Sequence, residues 1–377
     1  MPFRIAFLSK YPPIEGGIAT KTYWFTRGLV ARGHDIHIIT HGLPAGGEYS
    51  VHRSERQPEN MPNLRIHSPQ EQIPWHIPED EEHALTLLNL TMEVIKEHDI
   101  QILDSGYFVP YGIVGHLAKK STGVYHVIRH GGSDIEKFFK KGLLRGVITE
   151  AITQADILIT ESRYQALFEP LTSRLVFQPA YVPDGEVFIQ RNDSEPRGRI
   201  AFIGKINYHW QHKNLHLIAG IMRQLTGQFE CWLVGQGKGI ADFSQSLGPE
   251  TVAGFKWYPF VAPWAMPQLL NQLDAIFIFE SGLPHPVVSN LALEAISSGV
   301  GIITDRGDFI ETYRDIVEID KNQVIVISPS EPSSATEMIE PWVRERACNI
   351  QSSHPLVSYQ EYLSANESIY ANILGGH

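Results

Sequence analysis

The chain has 377 residues, enough for two domains of ordinary size, and its 43% hydrophobic residues can fill two cores. Charged residues at 19% exclude a disordered chain, and a formal net charge of -11 argues against a general nucleic-acid binder. Two cysteines, Cys231 and Cys348, exclude a disulfide framework and a cysteine-rich zinc site.

The chain runs straight into MPFRIAFLSK, a strand pattern with no long apolar signal segment, and no stretch is apolar enough to span a membrane, so a cytoplasmic location is expected. Residues 4–9 read as a strand, 11–17 as a loop and 18–31 as a helix with Ile18, Thr22, Phe25, Leu29 and Val30 near one face. Gly33 ends that helix, and 35–40 is the next strand. Residues 41–61, rich in glycine, proline and charge, read as a loop. A short strand at 64–67 precedes a long helix at 79–98. Strand 100–104, helix 111–120, strands 124–129 and 157–160, and helix 162–168 come next.

At 193–198 the composition turns polar, which suits a linker, and the alternation then restarts. Residues 199–203 read as a strand and 214–225 as a helix with Leu215, Ile218, Ile221, Met222 and Leu225 inward. Further strands fall at 231–234, 275–279, 300–303 and 324–327, and the last stretch, 359–374, is helical in period. Strand–helix alternation predicts an α/β protein whose parallel sheets are covered on both faces. Two such series predict two doubly wound, Rossmann-like domains, 1–190 and 191–355. Their ligands belong at the carboxyl ends of the strands, in a cleft between the domains.

Four constellations fall at strand ends. Gly16-Gly17 lets a backbone approach a ligand closely, or simply makes a tight turn before a helix; it is not a GxGxxG fingerprint. His130-Gly131-Gly132-Ser133-Asp134 puts a histidine where it meets a ligand, against the plainer reading of a satisfied structural histidine, and Asp134 can cap the next helix. Gly204-Lys205 and Lys213-Asn214 place cations at both ends of one loop, which suits a diphosphate. In ESGLPHPVVSNLALEAISSGVGIIT, a helix starting at Ser289-Asn290 presents N–H groups and a positive dipole end to an anion. Glu294, one turn further in on an otherwise apolar helix, needs partners that a sugar diol supplies. This last stretch therefore reads as a nucleotide-sugar site.

The 17 histidines are scattered in sequence, with no HExxH; His209 and His212 stand three apart in a polar loop and read as solvent-exposed, so no metal site is expected. Residues 137–145 mix cations with apolar residues. They read as a core-packing helix with a solvated basic edge, ahead of a contact with an anionic membrane surface.

Taken in order, YPPIEGGIATKTYWFTRGLVARGHDIHIIT, RHGGSD, FIGKINYHWQHKN, LVGQGKG and SNLALEAISSGVGIIT resemble the motifs of a retaining glycosyltransferase of the GT-B fold, family 4 (glycosyl transferases group 1). The resemblance covers most of the chain. It implies that Gly16 and Gly17 lie beside the donor phosphate and the acceptor, that His130 contacts the transferred sugar, and that Gly204, Lys205 and Lys213 bind the diphosphate. Ser289 and Asn290 would offer N–H groups to the distal phosphate, Glu294 would hold the ribose, and backbone near Phe260-Val261 would read the base. Residues 356–377 would form a helix crossing back to the first domain.

Three departures stand out. Lys205 replaces the family's usual arginine, the loop to Lys213 is longer, and Pro286 stands where a first glutamate is usual. Glu280, His285 or backbone groups are left to meet the sugar hydroxyls. The activity implied is transfer of a sugar from a nucleoside diphosphate sugar to a hydroxyl acceptor (glycan, lipid-linked or small molecule) by front-face attack with retention. It requires no cofactor and no metal, and it suits a cytoplasmic protein, peripheral at the inner face of a membrane if residues 137–145 touch lipid. The alternatives are a sugar-nucleotide epimerase of the same architecture and a non-catalytic nucleotide-sugar-binding subunit of a transferase complex.

Overall fold

The structure is a computed structural model that describes residues 2–40, 61–69, 81–140, 142, 144–190, 196–207, 210–249, 253–282, 288–348 and 353–375. Its described residues form two compact units, the first running up to Tyr181 and again from Gln360, the second Val182–Tyr359.

Among its described residues the first unit contains seven strands: β1 (Arg4–Leu8), β2 (Asp35–Ile39), β3 (Leu64–His67), β4 (Ile102–Ser105), β5 (Tyr125–Arg129), β6 (Ile157–Thr160) and β7 (Leu175–Phe177). They lie in the order β3-β2-β1-β4-β5-β6-β7, every pair parallel. Beyond their first residues the central strands β1, β2, β4 and β5 are buried without alternation, as a parallel sheet covered on both faces demands. The helix Gly17–Ala31 begins at Gly16, whose φ of 116 favours glycine. It buries Thr22, Phe25 and Leu29 as expected. Tyr23 and Trp24 are buried too, and Ile18 and Val30 are only half-buried, so the covered face is wider than the periodicity suggested.

The second unit repeats the plan. Its strands are β8 (Arg199–Ile203), β9 (Glu230–Val234), β10 (Lys256–Tyr258), β11 (Ala275–Ile278), β12 (Gly301–Thr304), β13 (Val317–Glu318), β14 (Val324–Val326) and β15 (His354–Pro355). Six of them form a parallel sheet in the order β10-β9-β8-β11-β12-β14, and β13 pairs β15 antiparallel. The helix Leu215–Leu225 buries Leu215, Ile218, Ile221, Met222 and Leu225, the face read from its period. In each sheet the strand order reverses beside the first strand, between β1 and β4 and between β8 and β11. Ligands of open α/β sheets bind outside the carboxyl ends at such points.

Some elements differ from expectation. The helix expected at 111–120 is Ile113–Thr122, preceded by a wide turn at Phe108–Gly112. The stretch 162–168 splits into a 3-10 turn, Ser162–Tyr164, and a short helix, Gln165–Phe168. A further helix, Pro332–Cys348, carries Pro341 in its interior, which breaks the sequence signal. Its Ala335, Ile339 and Val343, four apart, nevertheless enter the core of the second unit. At Ile135–Phe139 the aromatic residues face inward, with Phe139 buried and Phe138 packed against the same core, while Lys137 and Lys140 are exposed. Among the described residues no helix is long and apolar enough to cross a membrane.

The last helix, Tyr359–Gly375, packs on the first unit through a buried polar network. Arg129 Nε donates to both oxygens of Asp104 at 2.9 Å, and another guanidinium nitrogen donates to Asn366 Oδ1 (2.7 Å) and Tyr370 Oη (3.1 Å). Tyr370 in turn donates to Asp104 Oδ2 at 2.8 Å. Burial works most strongly against the guanidinium charge, but Asp104, Tyr370 and Tyr362 together outweigh it and hold Arg129 more firmly protonated than usual. Removing one member leaves the other charge buried and unmatched. Asp104→Ala is expected to cost about 3–5 kcal/mol and Tyr370→Phe about 1–2 kcal/mol in urea unfolding. Wild-type stability in both variants would show that something else anchors the helix.

Candidate functional site

The second unit assembles its polar groups at the switch point of its sheet. Gly204 and Lys205 follow β8; Phe279 and Glu280 follow β11, the strand paired with β8. The loop after β8 is held from behind by the loop after β9. Gly204 N donates to Val234 O, and Ile206 N to Gln236 O, both at 3.0 Å. A Cβ on Gly235 would lie 2.4 Å from Gly204 O, and one on Gly237 2.5 Å from Ile206 O. The glycines of LVGQGKG therefore permit backbone-to-backbone packing, which fixes the Gly204 loop.

From that loop the chain passes through a 3-10 turn, Trp210–Lys213, into the helix Leu215–Leu225. Asn214 between them is left-handed, with φ 50 and ψ 31, a conformation that asparagine tolerates better than most residues. The reversal stands Lys213 against Gly204: a Cβ on Gly204 would lie 3.5 Å from Lys213 Nζ.

Asp305, just past β12, fastens this turn to the loop after β11. Its carboxylate accepts from Glu280 N (2.9 Å), Ser281 N (3.2 Å), the Ser281 hydroxyl and Asn214 Nδ2 (3.0 Å). Asn214 Nδ2 also donates to Ser281 Oγ at 2.9 Å. Gly282 completes the contact, since a Cβ there would fall 2.4 Å from His212 O. Glu280 is enclosed by this arrangement. Its side chain is 12% exposed, and its nearest cation, Arg306, stands at 3.7 Å. Glu280 Oε2 has no hydrogen-bond partner among the described residues. Burial pushes its carboxyl up to about 7, against the opposing pull of Arg306 and then Lys213. Two cations thus converge on one buried carboxyl at the carboxyl end of β11.

The helix Asn290–Ser297 follows the same strand. Ser289 caps it, its hydroxyl accepting from Ala292 N at 3.4 Å, while its own N–H donates to the Tyr313 hydroxyl at 2.9 Å. Glu294 is 2% exposed and lies between the buried Leu293 and Ala295. Val261 is half-buried and follows β10. His285 and Pro286, like His209, lie outside the described residues.

In the first unit Gly16 and Gly17 open the helix after β1. His130, just past β5, is 3% exposed. Its Nε2 donates to Thr160 Oγ1 at 2.7 Å, since its Nδ1 accepts from Gly132 N at 3.3 Å. Burial, then Lys21 and Arg163, lower its pKa to about 3, so the ring is neutral. Asp134 caps Ile135 N (3.2 Å) and also accepts from Gly131 N (3.0 Å) and Phe108 N (2.9 Å). His130 borders a small cavity with Lys21, Thr160, Glu161 and Gln178. Gln178 Oε1 is buried with no partner among the described residues.

The structure thus gathers Gly204, Lys213 and Glu280 in one place, with Ser289, Asn290 and Glu294 on the helix beyond them. Asn214, Asp305 and Arg306 were not anticipated as site residues, apart from the place of Asn214 in the lysine loop. Their signal is the run TDRG after a buried strand, the same strand-end rule that marks the others.

Two doubly wound units with these strand orders define the GT-B fold. The solved structure of Anabaena Alr3699/HepE in complex with UDP and glucose matches over 100% of both chains, with a TM-score of 0.61 at 14% identity. The catalytic domain of starch synthase IV from Arabidopsis thaliana, bound to ADP and acarbose, matches over 99% of both, with a TM-score of 0.62 at 12% identity. A curated relative, N-acetyl-alpha-D-glucosaminyl L-malate synthase of Bacillus anthracis, is 29% identical over 157 residues. That match takes in 40% of this chain and only 37% of the relative's length. No protein-family model matches. These likenesses support the resemblance to family 4 glycosyltransferases read from the sequence.

The raised carboxyl has a consequence for stability. Between the ordinary glutamate value of 4.5 and about 7, the native state keeps the Glu280 proton that the unfolded chain has lost. Stability therefore falls as pH rises through that window. Urea midpoints of the wild type are expected to drop between about pH 5 and about pH 8 more steeply than those of Glu280→Gln. Parallel profiles would remove Glu280 as the titrating group.

Proposed function

We propose that the chain is a glycosyltransferase moving a sugar from a nucleoside diphosphate sugar to a hydroxyl acceptor, with the anomeric configuration retained. The observation that carries this reading is the place of Lys213, against Gly204 at the switch point of the second sheet; Arg306, bonded through two nitrogens to Asp308, stands 3.7 Å from the Glu280 carboxyl beside it. Cations and strand-end backbone gathered at such a point suit a diphosphate. Proteins of the same fold solved with UDP, and with ADP and acarbose, support a nucleoside diphosphate as the ligand class.

In the proposed reaction the bond from the anomeric carbon to the diphosphate oxygen breaks, and its electron pair leaves with the phosphate. The acceptor oxygen bonds to the same face of the carbon, and its proton passes to the departing phosphate oxygen. Negative charge grows on the diphosphate, so Lys205 and Lys213 bind the transition state more tightly than the donor. The start of the helix Asn290–Ser297 adds its dipole, Glu294 holds the ribose hydroxyls, and backbone at Val261 borders the base. Glu280 meets the sugar hydroxyls in place of the glutamate missing at Pro286. With lysines neutralising the diphosphate, the proposal requires no metal in the transfer itself. In the first unit, the small cavity beside His130 is assigned to a single hydroxyl of the sugar or acceptor.

Lys213→Ala is expected to lower the transfer rate about a hundredfold or more while leaving the thermal midpoint near that of the wild type. NMR of the product should show the donor's anomeric configuration. Wild-type turnover in the variant, an inverted product, or conversion of the donor sugar without any acceptor would each overturn the reading.

A further inference from the structure

Away from that site, the first unit brings together three histidines that are 30 and 31 residues apart in sequence. His37 lies on β2 opposite Arg65 of β3, and His67 stands two residues beyond Arg65. In paired parallel strands these three side chains share one face of the sheet. His98 comes just after the helix Glu81–Glu97, whose C-terminal end carries partial negative charge that favours a cation. One ring nitrogen of each histidine lies within 4.8 Å of the other two. His37 Nδ1 and His67 Nε2 are 3.0 Å apart, and the His37 and His98 ring centroids 4.3 Å. In a tetrahedral site with metal–nitrogen bonds of about 2.0–2.1 Å, two ligand atoms stand roughly 3.3 Å apart. Small side-chain movements reach that geometry.

We propose that His37, His67 and His98 form a site for a divalent transition-metal ion of the zinc class, its remaining position taken by water. The donors are imidazole nitrogens, which select zinc-like ions over magnesium or calcium. His37 is buried, whereas His67 and His98 are half-buried, so an ion can reach the site from solvent.

The surroundings also supply the proton accounting. Arg65 donates to His37 Nε2 at 3.1 Å, so His37 carries its proton on Nδ1, pointing at His67. Coordination through Nδ1 moves that proton to Nε2; Arg65 then gives up its bond there, and Asp35 Oδ1, 3.6 Å away and beyond hydrogen-bond distance, becomes the acceptor after a small movement. Arg65 keeps its 2.8 Å bond to the same carboxylate oxygen. A carboxylate behind a metal-bound histidine is the usual means of orienting the ring. The bound ion would fasten the sheet edge, β2 and β3, to the end of the helix that packs on it.

The test uses untagged full-length protein, stripped with chelator, desalted and titrated with zinc chloride by calorimetry at neutral pH. One site with micromolar or tighter affinity is expected, with a matching rise in the thermal midpoint. His67→Gln and His98→Gln, both at half-buried positions, should each weaken binding at least about tenfold, and the double variant should abolish the site. Asp35→Asn should weaken it about tenfold or more while all three ligands remain. Circular dichroism confirms that each variant is folded. No tight binding to the wild type, or binding that survives in the folded double variant, would overturn the proposal.

Discussion

The geometry of the second unit depends on one carboxylate. Asp305 stands past β12 and takes hydrogen bonds from two backbone N–H groups of the loop after β11, from Ser281 and from the Asn214 amide. Charge-assisted bonds of this kind reach about 1.5–3 kcal/mol each when well formed, less where solvent reaches them as at Ser281, and several acting together hold the two loops in one arrangement. Because Asn214 follows Lys213 and Glu280 precedes Ser281, fixing their partners fixes the cation and the buried carboxyl as well. The glycine contacts behind Gly204 and at Gly282 do the rest by steric means, leaving no room for a side chain where two backbones meet.

The first unit solves a similar problem with a deeper ion pair. Arg129 and Asp104 stand at or next to the ends of the adjacent strands β5 and β4, and the C-terminal helix supplies Asn366 and Tyr370 to complete their hydrogen bonds. Arg129 immediately precedes His130, so the network also sets where that ring sits. His130 in turn is enclosed by Phe108, Tyr164 and Phe168 and bonded at both nitrogens. Its neutral state follows from that enclosure. Both units thus place polar connections directly behind the carboxyl ends of their strands, buried in the first unit and partly exposed in the second.

Much of this was legible in the sequence. Unbroken apolar runs such as 200–203 and 275–279 are strands because both faces of a parallel sheet are covered, and the period of 214–225 names the buried face of its helix. Gly204 could be read as a strand-end residue by the same logic, Lys213 as the cation at the far end of its loop, and Glu280 as a substitute for the glutamate missing at Pro286. Asp305 and Arg306 could not be joined to them, because that requires knowing that β12 pairs with β11. The helix Pro332–Cys348 was hidden by Pro341 and a polar composition. The trio His37, His67 and His98 was invisible for a related reason, since only the pairing of β2 with β3 and the return of a helix bring them together.

The central claim is that the groups around Lys213 recognise a diphosphate. Calorimetry comparing a nucleoside diphosphate with the corresponding monophosphate tests it most directly. The account predicts that the diphosphate binds at least about tenfold more tightly in the wild type, and that Lys213→Ala erases most of the difference. Equal affinities for the two nucleotides in the wild type would contradict it.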